Sequence, residues 1–311
     1  MSKVTVVGSG FVGATVAQYV AEKDLADVVV VDIIEGMPQG KSLDMMEGGP
    51  IHLHDRKVTG SNDYADTKDS DIIVITAGIA RKPGMSRDDL AKTNAKIVKE
   101  VAEKTIKHSP NAIYIVVTNP LDVMTYLVWK TTKLPCERVI GMAGVLDSAR
   151  FQTFIGMELG MSVEDIKAMV LGGHGDLMVP LPRFSSINGV PIPELLPAEK
   201  IEALCKRTAN GGAEIVNLLK SGSAWYAPGA SVAHMVEAIL RDKNRLLPCA
   251  VYANGEYGLK DIYIGLPAVL GRQGLKKIVE LKLNESELAM LKKSAASIRE
   301  QLDAVNQPAA V

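Results

Sequence analysis

His174 stands in the run Leu171-Gly172-Gly173-His174-Gly175-Asp176, directly after an apolar stretch at 168–171. Glycines on both sides leave the imidazole sterically open on a loop. Its titration near neutral pH makes histidine the natural group for transferring a proton. His52, His54, His108 and His234 have no such surroundings, and His234 falls in a helical pattern where it reads as a packing residue. Asp147 and Arg150 lie three positions apart at the start of a helical stretch, on one side of the helix. One could orient a base while the other binds an anion. A helix-start acid with a nearby salt-bridging arginine accounts for the same spacing. Between 78 and 87 the chain is polar and basic, with Arg81 and Arg87 around Pro83-Gly84. Two arginines on such a loop could close over an anionic ligand, and a solvated basic loop is the plainer alternative.

Gly8-Ser9-Gly10-Phe11-Val12-Gly13 matches G-x-G-x-x-G. Alone this is a weak signal, but here it follows a predicted strand and opens a predicted helix. The glycines then allow a tight turn, close approach to a pyrophosphate and close helix–strand packing, with the helix N-terminus facing the phosphates. Asp32 ends the next predicted strand, where its carboxylate can accept from a ribose diol and repel a 2′-phosphate, which favours NAD over NADP. No Gly-Lys-Ser/Thr follows the turn, so it does not match a P-loop. Thr118-Asn119-Pro120 follows the apolar run 113–117, at the carboxyl edge where ligands bind in such sheets. Asn119 there could hydrogen-bond a carboxamide or ribose, or the motif could be a plain turn. Asn94 shares a helical register with Leu90, Ile97 and Val101 and needs a polar partner, a backbone carbonyl or the cofactor.

The elements that must position these groups are legible as a rhythm. Apolar β-branched runs at 4–7, 28–31, 72–75 and 113–117, with a weaker one at 139–140, alternate with helical patterns such as 12–22 and 88–107. Continuous apolar strands suit a parallel sheet buried on both faces, and the alternation predicts an α/β doubly wound sheet. The second half reads as mixed α+β. Prolines cluster around a predicted hairpin turn at Asn188-Gly189, a long helical pattern is broken at Gly211-Gly212, another covers 231–241, and short strands are predicted within 245–279. A final helix follows Asn284, where Glu287 nearly completes a capping box and Leu288, Leu291, Ala295, Ile298 and Leu302 form the apolar face. These patterns divide the chain at 1–144 and 145–311.

Composition narrows the classes of function. Lys plus Arg is 35 against 36 for Asp plus Glu, and aromatics are 5% of the 311 residues. That argues against nucleic acid as a partner, by charge and by stacking surface. No apolar run approaches a membrane span. Cys136, Cys205 and Cys249 are widely spaced, giving neither a disulfide framework nor a local zinc motif, so no metal is expected and a reducing cytoplasm is the expected setting.

Five motifs in order, the glycine turn, Ala80-Arg81-Lys82-Pro83-Gly84-Met85-Ser86-Arg87, Thr118-Asn119-Pro120, Leu146-Asp147-Ser148-Ala149-Arg150 and Gly172-Gly173-His174-Gly175-Asp176, together resemble the lactate/malate dehydrogenase family over nearly the whole chain. Within it they look most like the lactate-dehydrogenase-like malate dehydrogenases. The resemblance implies a Rossmann domain followed by a mixed catalytic domain, NAD as cofactor and a small dicarboxylate, malate or oxaloacetate, as substrate. It implies His174 as proton acceptor or donor paired with Asp147, and Arg150 on the carboxylate at the reactive end. Arg87 would polarise the carbonyl and Arg81 would bind the second carboxylate, with Asn119 also at the substrate. Gly8, Gly10, Phe11, Val12, Gly13, Asp32, Asn94, Thr118 and Asn119 fall at the NAD site, and Ser223, before Ala224-Trp225-Tyr226, resembles a further active-site hydroxyl. A homodimer or homotetramer is implied. Lactate dehydrogenase is the nearest rival, with Arg81 against it. An NAD-dependent glycosidase would be expected to need a metal, and a non-enzymatic dinucleotide-binding module would leave His174, Asp147 and the arginines unexplained.

Overall fold

The computed structural model describes residues 2–79 and 87–306. The first half runs β1 (Lys3–Val7), α1 (Phe11–Glu22), β2 (Asp27–Val31), α2 (Met37–His52), β3 (Val58–Ser61), β4 (Ile72–Ile75), α3 (Arg87–His108), β5 (Ile113–Val116), α4 (Leu121–Thr132) and β6 (Val139–Gly141). These six strands are parallel, in the order β6-β5-β4-β1-β2-β3. Every residue of β4 and β5 is buried, as continuous Ile/Val strands require when helices cover both faces. The doubly wound sheet expected from the sequence is therefore present. Two of its elements are hard to read locally. α2 carries Pro38, Gly40, Gly48, Gly49 and Pro50, and β3 includes Gly60. Tertiary packing holds them, since a Cβ on Gly60 would lie 2.2 Å from the Pro38 carbonyl carbon.

The second half continues with α5 (Gly144–Leu159), β7 (Ile166–Lys167), β8 (Val170–Leu171), β9 (Val179–Pro180), β10 (Ser186–Ile187), β11 (Val190–Pro191), α6 (Ala198–Leu219), α7 (Tyr226–Leu240), β12 (Arg245–Asn254), β13 (Lys260–Gly271), β14 (Gly274–Ile278) and α8 (Glu285–Asn306). The short strands expected at 245–279 are instead two long ones and a shorter third. They form an antiparallel ribbon that joins the parallel sheet where Ala250 pairs with Gly141, giving nine strands. A second core under α5 and α6 is built from Phe151, Phe154, Ile155, Ile166, Met178, Ile187 and Leu204. The hairpin turn at Asn188-Gly189 is as expected, both residues having positive φ (47° and 88°), the primed-turn geometry. α8 begins with a reciprocal capping box: Asn284 N–H donates to Glu287 Oε2 and Glu287 N–H to Asn284 Oδ1, each at 2.9 Å.

A second sequence expectation fails. Gly211-Gly212 does not interrupt a helix: α6 passes through both without a break. The glycines answer a packing demand, because the Arg150 side chain lies against them. Among the described residues no helix is long and apolar enough to cross a membrane.

Candidate active site

The glycine turn sits where β1 ends. Gly8 has φ +103°, and a Cβ on Gly13 would lie 1.8 Å from the Gly8 carbonyl oxygen, so neither position accepts a side chain. Gly10 is different, with nothing within 4 Å of a built Cβ. Its open side faces the N-terminus of α1, which has no side-chain cap, so its first N–H groups are available to an anion. Asp32 follows β2, half-buried. Its Oδ2 accepts from Ser9 N–H (2.6 Å) and Ser9 Oγ (2.8 Å), and its Oδ1 from Ile34 N–H (3.0 Å). Burial raises its pKa, but these hydrogen bonds outweigh it and hold the carboxyl below its ordinary range. A turn open at Gly10, an uncapped helix start and an ionised carboxylate at the next strand end suit a dinucleotide.

At the ends of β4 and β5 the chain is tied to itself. Thr118 Oγ1 donates to the Ala77 carbonyl (2.7 Å). Asn94, 1% exposed, accepts from Ile79 N–H (2.9 Å) and donates to the Asn119 carbonyl (2.7 Å). Both residues line the site cavity, but their side-chain polar atoms hold backbone rather than reaching outward. Asn119 is exposed beside them and also lines the cavity.

His174 is placed by two backbone anchors. Gly172 pairs with Gly265, where a Cβ would lie 2.4 Å from the Gly172 oxygen, and Gly173 N–H donates to Ser294 Oγ (2.8 Å). The imidazole Nδ1 is 2.9 Å from Asp147 Oδ2. Burial depresses the histidine pKa, and the charge and hydrogen bond of Asp147 more than reverse this, so it lies above its ordinary value. Asp147 is 2% exposed in the first turn of α5. One turn on, Arg150 Nη1 is 3.5 Å from Asp147 Oδ1, beyond a normal hydrogen bond. Its buried Nε has no hydrogen-bond partner among the described residues, and burial lowers its pKa against the pull of Asp147. A largely buried guanidinium this poorly paired among the described residues suits an anion.

His174, Arg150, Asn119 and Ser223 line one cavity of about 570 Å³, which reaches Val12 of the glycine turn. The structure thus brings His174, Arg150, Asn119 and Ser223 to one cavity with Val12, and Asp147 to His174, while Gly8, Gly10, Gly13 and Asp32 do not line that cavity. Arg81 lies outside the described residues, as does the side chain of Arg87, whose backbone starts α3. One residue went unread in the sequence. Asp122, 5% exposed in α4, accepts the His174 backbone N–H at 2.9 Å through Oδ2, while its Oδ1 has no partner among the described residues. Burial pushes its carboxyl up to about 7. Its sequence signal was an acid set among Leu121, Val123 and Met124, easily taken for an ordinary helix-start carboxylate.

A glycine turn that suits a dinucleotide, and a histidine–carboxylate pair beside an arginine at the same cavity, fit the class of oxidoreductases that use a nicotinamide cofactor. Comparison with known proteins supplies the family. Residues 2–141 match the NAD binding domain of lactate/malate dehydrogenase, and 144–308 match its alpha/beta C-terminal domain. The malate dehydrogenase of Nostoc punctiforme is 59% identical, covering 97% of this chain and 93% of that protein. That of Roseiflexus sp. is 56% identical, covering 97% and 98%. Among solved structures, malate dehydrogenase from Salinibacter ruber superposes with a TM-score of 0.94 at 52% identity, covering 97% of each chain. A lactate dehydrogenase from Cryptosporidium parvum gives 0.95 at 41%, covering 99% of each. The chain belongs to the lactate/malate dehydrogenase family, and its cofactor is NAD.

Proposed function

We propose that this chain is an NAD-dependent malate dehydrogenase that interconverts (S)-malate and oxaloacetate. The observation that carries the proposal is the part-buried His174–Asp147 pair beside the under-paired Arg150, His174 and Arg150 lining one cavity. When bound, NAD supplies the hydride acceptor. With Nδ1–H directed at Asp147 Oδ2, the imidazole Nε2 is free to accept the substrate hydroxyl proton, and Asp147 stabilises the imidazolium that develops. In the reverse direction the imidazolium returns that proton to the carbonyl oxygen. Arg150 presents a planar fork to the carboxylate at the reactive end. Asp122 fixes the His174 backbone rather than touching the reacting atoms. Arg87 would polarise the carbonyl and Arg81 would hold the distal carboxylate.

A second reading, lactate dehydrogenase, has support in the structural likeness to such enzymes at 41% identity. The two differ at the distal carboxylate. Oxaloacetate offers Arg81 a counter-ion, whereas pyruvate leaves it unpaired, at a cost of about 3–5 kcal/mol in a closed site. NADH-dependent reduction of both substrates should therefore favour oxaloacetate strongly. Arg81→Gln should shrink the kcat/KM ratio of oxaloacetate to pyruvate by ~10²- to 10³-fold. A constant ratio would make Arg81 a surface charge and remove the basis for malate specificity.

Assembly as a homodimer or homotetramer belongs to the same proposal. Leu43, Ile51 and Leu53 in or just after α2, Phe11 of α1 and Tyr226 of α7 are each more than half exposed, apolar side chains that a subunit interface would cover. Light scattering of the purified chain tests it, and a single-chain mass refutes it. The three free cysteines suit a reducing compartment, in keeping with the cytoplasm.

A further inference from the structure

Lys41 reaches from α2 across to the glycine turn and touches both of its first two variable positions. Its Nζ donates to the Ser9 carbonyl at 2.5 Å and lies 5.6 Å from the centroid of the Phe11 ring. Ser9 is completely buried, and its N–H and hydroxyl both donate to Asp32. All three polar atoms of Ser9 are thus held by two oppositely charged side chains. The base from which Lys41 extends is itself fixed. Pro38 is seated against Gly60, and Gln39 donates to Asn62, which donates in turn to the Asp32 and Ile34 carbonyls.

The arrangement answers an electrostatic problem. A carboxylate at Asp32 suits a ribose diol, but it is bound directly to the turn that must receive a doubly charged diphosphate. Like charges this close repel within a screening length of about 8 Å at physiological salt. A cation on the far side of the same serine offsets that repulsion and holds the turn in shape. We infer that Lys41 is a positioning residue for the cofactor, clamping Ser9 and cancelling the charge of Asp32 where the diphosphate docks. The inference rests on the reading that the glycine turn and Asp32 hold the NAD.

Lys41→Met keeps most of the stem and removes the ammonium. The dissociation constant of NADH, measured by fluorescence titration of the full chain, should rise about tenfold at low salt. Raising the salt to about 0.5 M should narrow the gap to the parent protein, because the exposed repulsion is screened. Lys41→Arg should restore most of the affinity. An NADH affinity equal to the parent's, or a loss independent of salt that arginine does not restore, overturns the inference. Asp32→Asn, titrated in parallel with NADH and NADPH, separates the two levels. If it changes cofactor preference while Lys41→Met changes nothing, only the role of Lys41 falls. If neither changes binding, the assignment of the turn as the cofactor site falls with it.

Discussion

Replacing Gly211 by alanine sets stability against activity in a way the structure makes quantitative. The position lies inside α6 with helical backbone, so alanine should stabilise the helix by about 0.5–1 kcal/mol. For a chain of this size that is a rise in Tm of roughly 1–3 °C. The added Cβ would sit 3.1 Å from Arg150 Cδ and 3.5 Å from Nε. Carbon atoms pack at about 3.5–4.0 Å, so the arginine stem must withdraw by about 0.5 Å. Its side chain is only 13% exposed and faces Asp147 on the other side, so the displacement passes to the guanidinium. A misplacement of 1 Å can cost ~10²-fold in rate, and half of it about tenfold. Steady-state reduction of oxaloacetate should show kcat/KM down about tenfold in Gly211→Ala, while a thermal melt shows the protein more stable. Gly212→Ala is the internal control, since its Cβ meets Arg150 at an ordinary 3.6 Å and should stabilise without the loss. Equal activity in the two variants would refute the idea that Gly211 makes room for a placed arginine.

His174→Asn should lower turnover by ~10²- to 10⁴-fold with NADH affinity retained, checked by fluorescence titration. Oxaloacetate reduction needs the imidazolium, so its kcat/KM should be full at low pH and fall as pH rises through a pKa above the ordinary 6.5. In Asp147→Asn that fall should move to lower pH. Asp32→Asn should bring kcat/KM for NADPH closer to that for NADH, and an unchanged preference counts against the ribose role. The Asp122 carboxyl is raised in the folded state from 3.8 to about 7, so it disfavours folding progressively across that interval as pH rises. Asp122→Asn, which keeps an acceptor for His174 N–H, should therefore gain in Tm relative to the parent between pH 4 and 7, a gap that melts at several pH values measure.

The parallel sheet and most of the candidate site were legible because their signals are local. Four-residue Ile and Val runs admit few other structures, and a glycine-flanked histidine or a glycine turn before a helix carries its geometry in sequence. What was missed depends on partners distant in the chain. Asp122 has the look of any helix-start acid until the backbone of residue 174 is found against it. Gly211 and Gly212 read as breakers because a helix is ordinarily weakened by glycine, and only Arg150 explains them. α2 is dense in Gly and Pro, yet packing of Pro38 against β3 keeps it helical. Asn94 and Thr118 line the cavity, but whether an amide or hydroxyl faces a ligand or a backbone carbonyl is not written in spacing.

The pairing of Ala250 with Gly141 also sets the order in which the molecule can be completed during synthesis. β6 emerges from the ribosome as the outer strand of a six-stranded sheet, with its free side unpaired. The ribbon that covers it follows only after α5, the small second core, α6 and α7 have been made. At about 5–20 residues per second that interval is on the order of ten seconds, during which the nascent chain carries an adhesive margin. The strand is three residues long, with Gly141 at its end, which keeps that margin too short to recruit a neighbouring chain readily.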